Sequence, residues 1–236
     1  MHLHNVSGGV LGGDQLSLEI SAAAGSRVQI TSTGATRLYR QRVGGEDSEQ
    51  SVSIEIGDGA MVEYLPDPLI PFAGSRHVQR TRVSLGRGAM LFWWETIAPG
   101  RRAAGECFAF DRLRISTALD VADRPAVREA FVMEPARRSP GSLARMGRFE
   151  YLATFYAMAE GVAADRWCEL ENMLNERLSS ERRDEWWGAS TLANNGIVVR
   201  GLTCGPRGIA AILTEVWRIA RGFLTGEDAV APRKVY

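Results

Sequence analysis

Three stretches of this chain follow one plan. "LSLEISAAAGSRVQITS", "VSIEIGDGAMVEYLP" and "TRVSLGRGAMLFWWE" each run strand, Gly-containing turn, strand. The turn glycines Gly25, Gly59 and Gly88 fall roughly 30 residues apart, a period that points to stacked coils. A coil of that kind buries its apolar face only against the next coil. The expected fold is therefore mainly β, with β-helix-like stacked strands. A β-sandwich, with turns every 8–12 residues or so, is the alternative. The first two-thirds support strands throughout: "DQLSLEI", "RVQITS", "TRLYR", "SVSIEI", "MVEYL", "VQRTRVSL", "MLFWWET" and "CFAFDRLRIS" are β-branched or aromatic-rich and separated by turn residues.

The last third changes character. "FEYLATFYAMAEG" (149–161) reads as helical, as does 163–180, where Trp167, Leu170, Leu174 and Leu178 fall three and four apart. "WWGASTLANNGIVVRGLT" returns to strand, with Asn194-Asn195-Gly196 as a hairpin turn. Residues 208–224 form an amphipathic helix, and the tail "APRKVY" is extended. No linker divides the chain. One domain over 1–236 is expected, with a β body over about 1–148 and 185–205 and C-terminal helices over 149–180 and 208–224.

The chain begins near "GGVLGGDQLSL", where Gly8, Gly9, Gly12 and Gly13 precede Asp14. Gly8 and Gly13 have P-loop spacing, but Asp14 and Gln15 stand where Lys and Ser/Thr would meet phosphate and magnesium. A carboxylate there repels phosphate, and no dinucleotide fingerprint appears. The block is either a hairpin turn or a site. Zero formal net charge leaves no electrostatic footprint for nucleic acid. Cys107, Cys168 and Cys204 are odd in number and far apart, which fits neither a disulfide framework nor a C-x-x-C metal site. With no signal-peptide pattern and no apolar run of about 18 residues, a cytosolic protein is expected.

Candidate chemistry rests on acidic residues. Asp14 sits at the glycine turn, Glu63 in "MVEYLPDP", Glu95 after Trp93-Trp94, and Glu129 in "AVREAFVME". A carboxylate among apolar neighbours is costly unless paired, solvated or used. Buried ion pairs with Arg82, Arg101 or Arg128 are one reading. Carboxylates along an ion path are another, since such oxygens suit hard or borderline cations. A carboxylate pair for acid–base catalysis is the third. Asp14, Glu63 and His77 are candidate metal ligands by residue type; His77 also reads as structural, and His2 and His4, on one face of an extended segment, read either as a metal-binding pair or as a frayed terminus. Each tryptophan pair, 93–94 and 186–187, is expected to give one core residue and one at an interface.

Taken in order, "SGGVLGGDQLSLEI", "TSTGATRLYR", "EYLPDPLIPFAGSR", "FWWETIAPGRRAAGECF", "GASTLANNGIVVRGLT" and "VWRIARGFLTG…APRKVY" resemble the urease accessory protein family UreD, also called UreH. The resemblance covers essentially the whole chain. Family members carry several strands before the GGxxGGD block, so the usual N-terminal strands are expected to be missing and a strand edge exposed. The resemblance implies a β-helix-like, non-catalytic protein. Its partners would be a UreF-like accessory protein, a UreG-like GTPase held through it, and the urease structural subunits. It would bind no nucleic acid, no membrane and no resident cofactor. Nickel would pass in transit through an internal, water-filled route. On the family's motifs, Asp14 matches the GGD aspartate, and Thr36 the small hydroxyl position, with Arg37 in place of the usual lysine. Glu95 matches the acidic residue after the strand tryptophan, and Glu129 a glutamate before the helices. The rival function is a carbohydrate-active β-helix enzyme using two of these carboxylates.

Overall fold

A computed structural model describes residues 1–179 and 183–232. The repeating strand–turn–strand units are its first half. Strands β2 (Gln15–Ala22), β5 (Ser48–Ile56), β8 (Arg76–Leu85) and β10 (Arg112–Val121) stack in parallel in one sheet. Strands β1 (His2–Leu3), β3 (Arg27–Ser32), β6 (Met61–Leu65) and β9 (Met90–Ile97) stack in parallel in the other. Short strands β4 (Thr36–Leu38) and β7 (Leu69–Pro71) pair with each other at the edge of that second sheet. The chain thus passes from sheet to sheet once per turn, as stacked coils require. The repeated glycines hold the stack: Gly25, Gly59 and Gly88 have φ of +69°, +66° and +62°. Gly25 N–H donates to the Asp58 carbonyl and Gly59 N–H to the Arg87 carbonyl, each at 2.8 Å, so each turn hangs on the next.

The second half is antiparallel. Strand β11 (Arg124–Met133) pairs with β10 and ends the first sheet, whose other edge is β2. Strand β12 (Tyr151–Ala159) pairs with β9, then β14 (Gly196–Thr203) with β12, and β13 (Glu185–Thr191) ends the second sheet. The 191–196 hairpin falls at the expected Asn-Asn-Gly turn, with Asn195 at φ +52°. Both sheets are open. Helices α1 (Ala164–Leu178) and α2 (Ile209–Thr225) match the expected 163–180 and 208–224 closely; residue 180, and the tail from 233 onward, lie outside the described residues.

One expected helix is a strand. Residues 149–161 hold β12, not the first turns of a helical region. The second sheet is covered on both faces, so its central strands are apolar on both faces and lose the alternation that marks a strand. Tyr156 and Met158 point toward the first sheet, with Val52, Ile54, Val83 and Leu119. Phe155 and Ala157 point toward Trp167, Leu174, Leu213 and Trp217 of the helices. A second correction is smaller: "CFAFDRLRIS" becomes strand only from Arg112, after a turn in which Phe108 takes φ +52°.

The tryptophan pairs follow the same two-faced logic. Trp93 faces the first sheet, stacked on Tyr156 with centroids 5.2 Å apart, while Trp94 faces the helices, edge-on to Trp217. Trp186 is exposed and Trp187 half-buried. Helix α1 covers the free edge of β13: Asn175 Nδ2 donates to the Ala189 carbonyl at 3.0 Å and its Oδ1 accepts from the Ala189 N–H at 2.8 Å. A covered edge cannot template pairing with another chain. Among the described residues no helix is long and apolar enough to cross a membrane.

Candidate functional site

The space between the two sheets is layered. Near the glycine turns it is apolar, with Ile54, Ile56, Val83, Leu85 and Leu91. At the opposite end a second apolar cluster gathers Leu38, Leu69, Ile97, Leu113 and Ile115. Between them lies a polar layer of inward-facing Gln50, Gln79, Thr81, Glu95, Thr117 and Glu129, the residues that line two small cavities. Burying such groups between two oily layers is costly without hydrogen bonds or water.

The cavities hold room for water. One, of about 50 Å³, is lined by Thr36, Gln50, Tyr64, Gln79, Trp93 and Glu95 among others. The next, of about 20 Å³, is lined by Glu95, Thr117, Glu129, Thr154 and Tyr156. Both exceed the roughly 10–15 Å³ one water needs. Trp93 lines the first, and its buried indole N–H finds no acceptor among the described protein atoms. The first cavity also shares Thr36, Gln50, Tyr64 and Pro66 with an open groove of about 480 Å³, lined by Gly8, Gly9 and Val10. The two cavities share Glu95, Ile97 and Ile115. A string of hollows therefore runs from the glycine block past Thr36 to Glu95 and on to Glu129.

Glu95 is the hinge of this string. Gln79 Nε2 donates to its Oε1 at 2.6 Å. Burial pushes the Glu95 carboxyl up to about 7, against the Gln79 hydrogen bond and with the Glu129 charge adding to the rise. Burial, reinforced by Glu95, also raises the Tyr64 hydroxyl far above its ordinary value. At the far end Tyr156 donates its hydroxyl proton to Glu129 Oε2 at 2.9 Å, and Arg200 of β14 forms an ion pair with Glu129 Oε1. Burial first, and then the Glu129 charge, holds the Tyr156 hydroxyl protonated.

The other candidates lie elsewhere. Asp14 is not among the groove's lining residues; its Oδ2 accepts the Leu11 N–H at 2.8 Å and closes the 11–14 turn. The glycines beside it serve close approach and turn geometry. A Cβ on Gly9 would stand 2.3 Å from the Tyr39 ring, and one on Gly12 would stand 1.7 Å from Gln41 Oε1. Gly8 and Gly13 take φ of +79° and +85°. Glu63 faces the helices, on the opposite side of the second sheet from Glu95. There it pairs with Arg221 at 2.7 Å and accepts from Gln29 at 2.7 Å, the bland ion-pair reading with a different arginine. His77 is fully buried; its Nδ1 meets Ser48 Oγ at 2.9 Å, and burial pushes its pKa down to about 4. Asp14, Glu63 and His77 thus form no ligand set, and among the described residues no three His, Cys, Asp or Glu side chains are grouped to hold a metal ion.

Sequence reasoning missed Gln79, Thr81 and Thr117. One signal was available: in "VQRTRVSL" Gln79 and Thr81 share the face of Val83 and Leu85, so their burial follows from period two. Arg200 and the Tyr156 hydroxyl reach Glu129 only through sheet pairing and had no local signal.

The sequence profile of the family described as UreD urease accessory protein matches residues 1–236. A relative from Herpetosiphon aurantiacus named urease accessory protein UreD is 39% identical over 238 residues, covering 100% of this chain and 83% of the relative. One of the same name from Sorangium cellulosum is 34% identical over 222 residues, covering 93% of this chain and 67% of the relative. A UreD 2 from Brucella suis is 30% identical over 226 residues, covering 93% of this chain and 72% of the relative. With the family match running from end to end, this chain belongs to the UreD family of urease accessory proteins.

Proposed function

We propose that this chain serves urease maturation in the cytoplasm as a non-catalytic scaffold. It joins a UreF-like protein, and through it a UreG-like GTPase, to apo-urease, and it gives nickel a route toward the urease active site. The relatives are named as accessory proteins and not as enzymes, so the Glu95–Glu129 pair is read as a cation path and not as a general acid and base. The observation that carries the route is the polar layer: hollows large enough for water, running from Thr36 past Glu95 to Glu129 between two apolar clusters.

The chemistry fits a passing divalent ion. Carboxylate, amide and hydroxyl oxygens suit a hydrated, borderline cation. A route must also release what it holds. Glu95 is poised near neutrality, so an arriving cation displaces a proton at little cost and a returning proton helps it leave.

The test is urease activation in cells carrying Glu95→Gln, Glu129→Gln, or both. Complex formation with the UreF-like protein and urease subunits should persist, because both substitutions are near-isosteric. Nickel content and activity of urease should fall, most in the double variant. Full nickel loading by the double variant would refute the route. Loss of the complex would assign these residues to assembly.

A further inference from the structure

Strand β11 has β10 as its one strand partner among the described residues, so its other edge is free. A cavity of about 520 Å³ opens beside its C-terminal end, lined by Phe131, Val132, Met133 and Glu134 in succession. Successive strand residues point to opposite faces. A hollow lined by four in a row therefore reaches the strand edge as well as the inner face. Strand β10 holds the opposite edge, pairing Ile115 with Phe131 and Leu113 with Met133. The floor is apolar, with Met146 buried and Leu152 half-buried, and Val132 stands 51% exposed at the rim.

The rest of the rim is basic. Arg137, Arg138 and Arg145 line the hollow, against one carboxylate, Glu134. Glu134 is taken by Arg137 at 2.9 Å, and Arg145 Nη1 donates to the Ser139 carbonyl at 3.1 Å. Arg138 is exposed and has no carboxylate partner among the described residues.

We propose that this edge and hollow form a docking site for an extended, acidic and apolar peptide segment of a partner protein. The free edge of β11 offers N–H and C=O groups for strand addition. An apolar side chain of the segment fills the hollow over Met146 and Leu152. Its carboxylates meet the guanidinium groups, whose planar donors suit bidentate pairing. A nucleic-acid phosphate would meet the arginines but leave the apolar floor empty. A fatty carboxylate would fill the floor but leave the strand edge unpaired. Phe131 and Leu152 also wall the small cavity at Glu129, so an occupant here sits against the far end of the polar layer. The docking itself stands without the cation route.

The experiment uses the full chain and a fluorescent eight-residue peptide alternating leucine and glutamate, with a leucine–lysine peptide as comparison. Saturable binding of the glutamate peptide is expected, and slowed amide exchange in β11. The pair Arg138→Glu with Arg145→Glu should weaken it at least about tenfold and favour the lysine peptide instead. Val132→Glu, at an exposed position, should weaken it without touching an arginine. Equal binding of both peptides, binding without protection of β11, or no saturable binding would overturn the proposal. So would binding of decanoate alone, which would mark a small-amphiphile pocket.

Discussion

Replacing Glu95 by glutamine should make the protein more stable at pH 8, and progressively less so toward pH 5. The carboxyl rises from 4.5 to about 7 on folding, mainly through burial. At 1.36 kcal/mol per unit, that shift costs about 3 kcal/mol once the group is ionised in both states. The sign follows from proton uptake. Between pH 4.5 and 7 the folded state holds a proton that the unfolded state has released, so stability falls as pH rises and the cost is complete above pH 7. At pH 5 only about 1 kcal/mol of it has developed. Glutamine never ionises, and its side-chain oxygen still accepts the 2.6 Å bond from Gln79. The gain of the variant over the parent should grow by about 2–3 kcal/mol from pH 5 to pH 8. For a chain of this length that is an added difference in Tm of about 5–10 °C. Thermal unfolding of both proteins at both pH values measures it, and titrating groups not coupled to Glu95 cancel in the double difference. An equal gain at both values, or a loss at pH 8, would refute the reasoning.

Glu63→Ala should destabilise the fold by about 3–5 kcal/mol in chemical denaturation, because Arg221 is left buried without its main partner; pairing Glu63→Leu with Arg221→Met should restore most of it. Arg27→Ala, which opens the exposed pair with Glu227, should leave the denaturation midpoint nearly unchanged in the same assay, because solvent screens that pair. Gly59→Ala should cost about 1–2 kcal/mol through its left-handed φ, and Gly59→Asn less, since asparagine tolerates that region; the ranking of denaturation midpoints checks it. Asp14→Asn should leave stability nearly unchanged because the amide oxygen can accept the Leu11 N–H, and normal urease nickel loading in that variant would confine Asp14 to the turn.

What could be read from the chain depended on how far each signal reached. The stacked coils were legible because their cause is local: glycines at left-handed positions and period-two strands recur with the coil. Strand β12 was not, because a partner on each face makes "YLATFYAMA" apolar throughout, and a helix reads the same. The site divided along the same line. Thr36, Glu95 and Glu129 lie along the hollows, and their candidacy came from residue type and resemblance. Glu63 and Glu95 looked equivalent in sequence, each a carboxylate inside an apolar strand. Parity separates them. In β9, Leu91, Trp93 and Glu95 face the first sheet, so Glu95 opens on the polar layer. In β6, Val62 and Tyr64 face that sheet, so Glu63 turns to the helices and meets Arg221, 158 residues away. Counting from the inward aromatic of each strand would have sorted the two. Identifying Arg221 required the packing of α2, and closing Glu129 with Arg200, 71 residues on, required the order of the antiparallel strands. Which face a carboxylate takes is therefore local information, while its partner is tertiary. In this chain an arginine pairs with Glu63 and another with Glu129, while Glu95 meets the neutral Gln79.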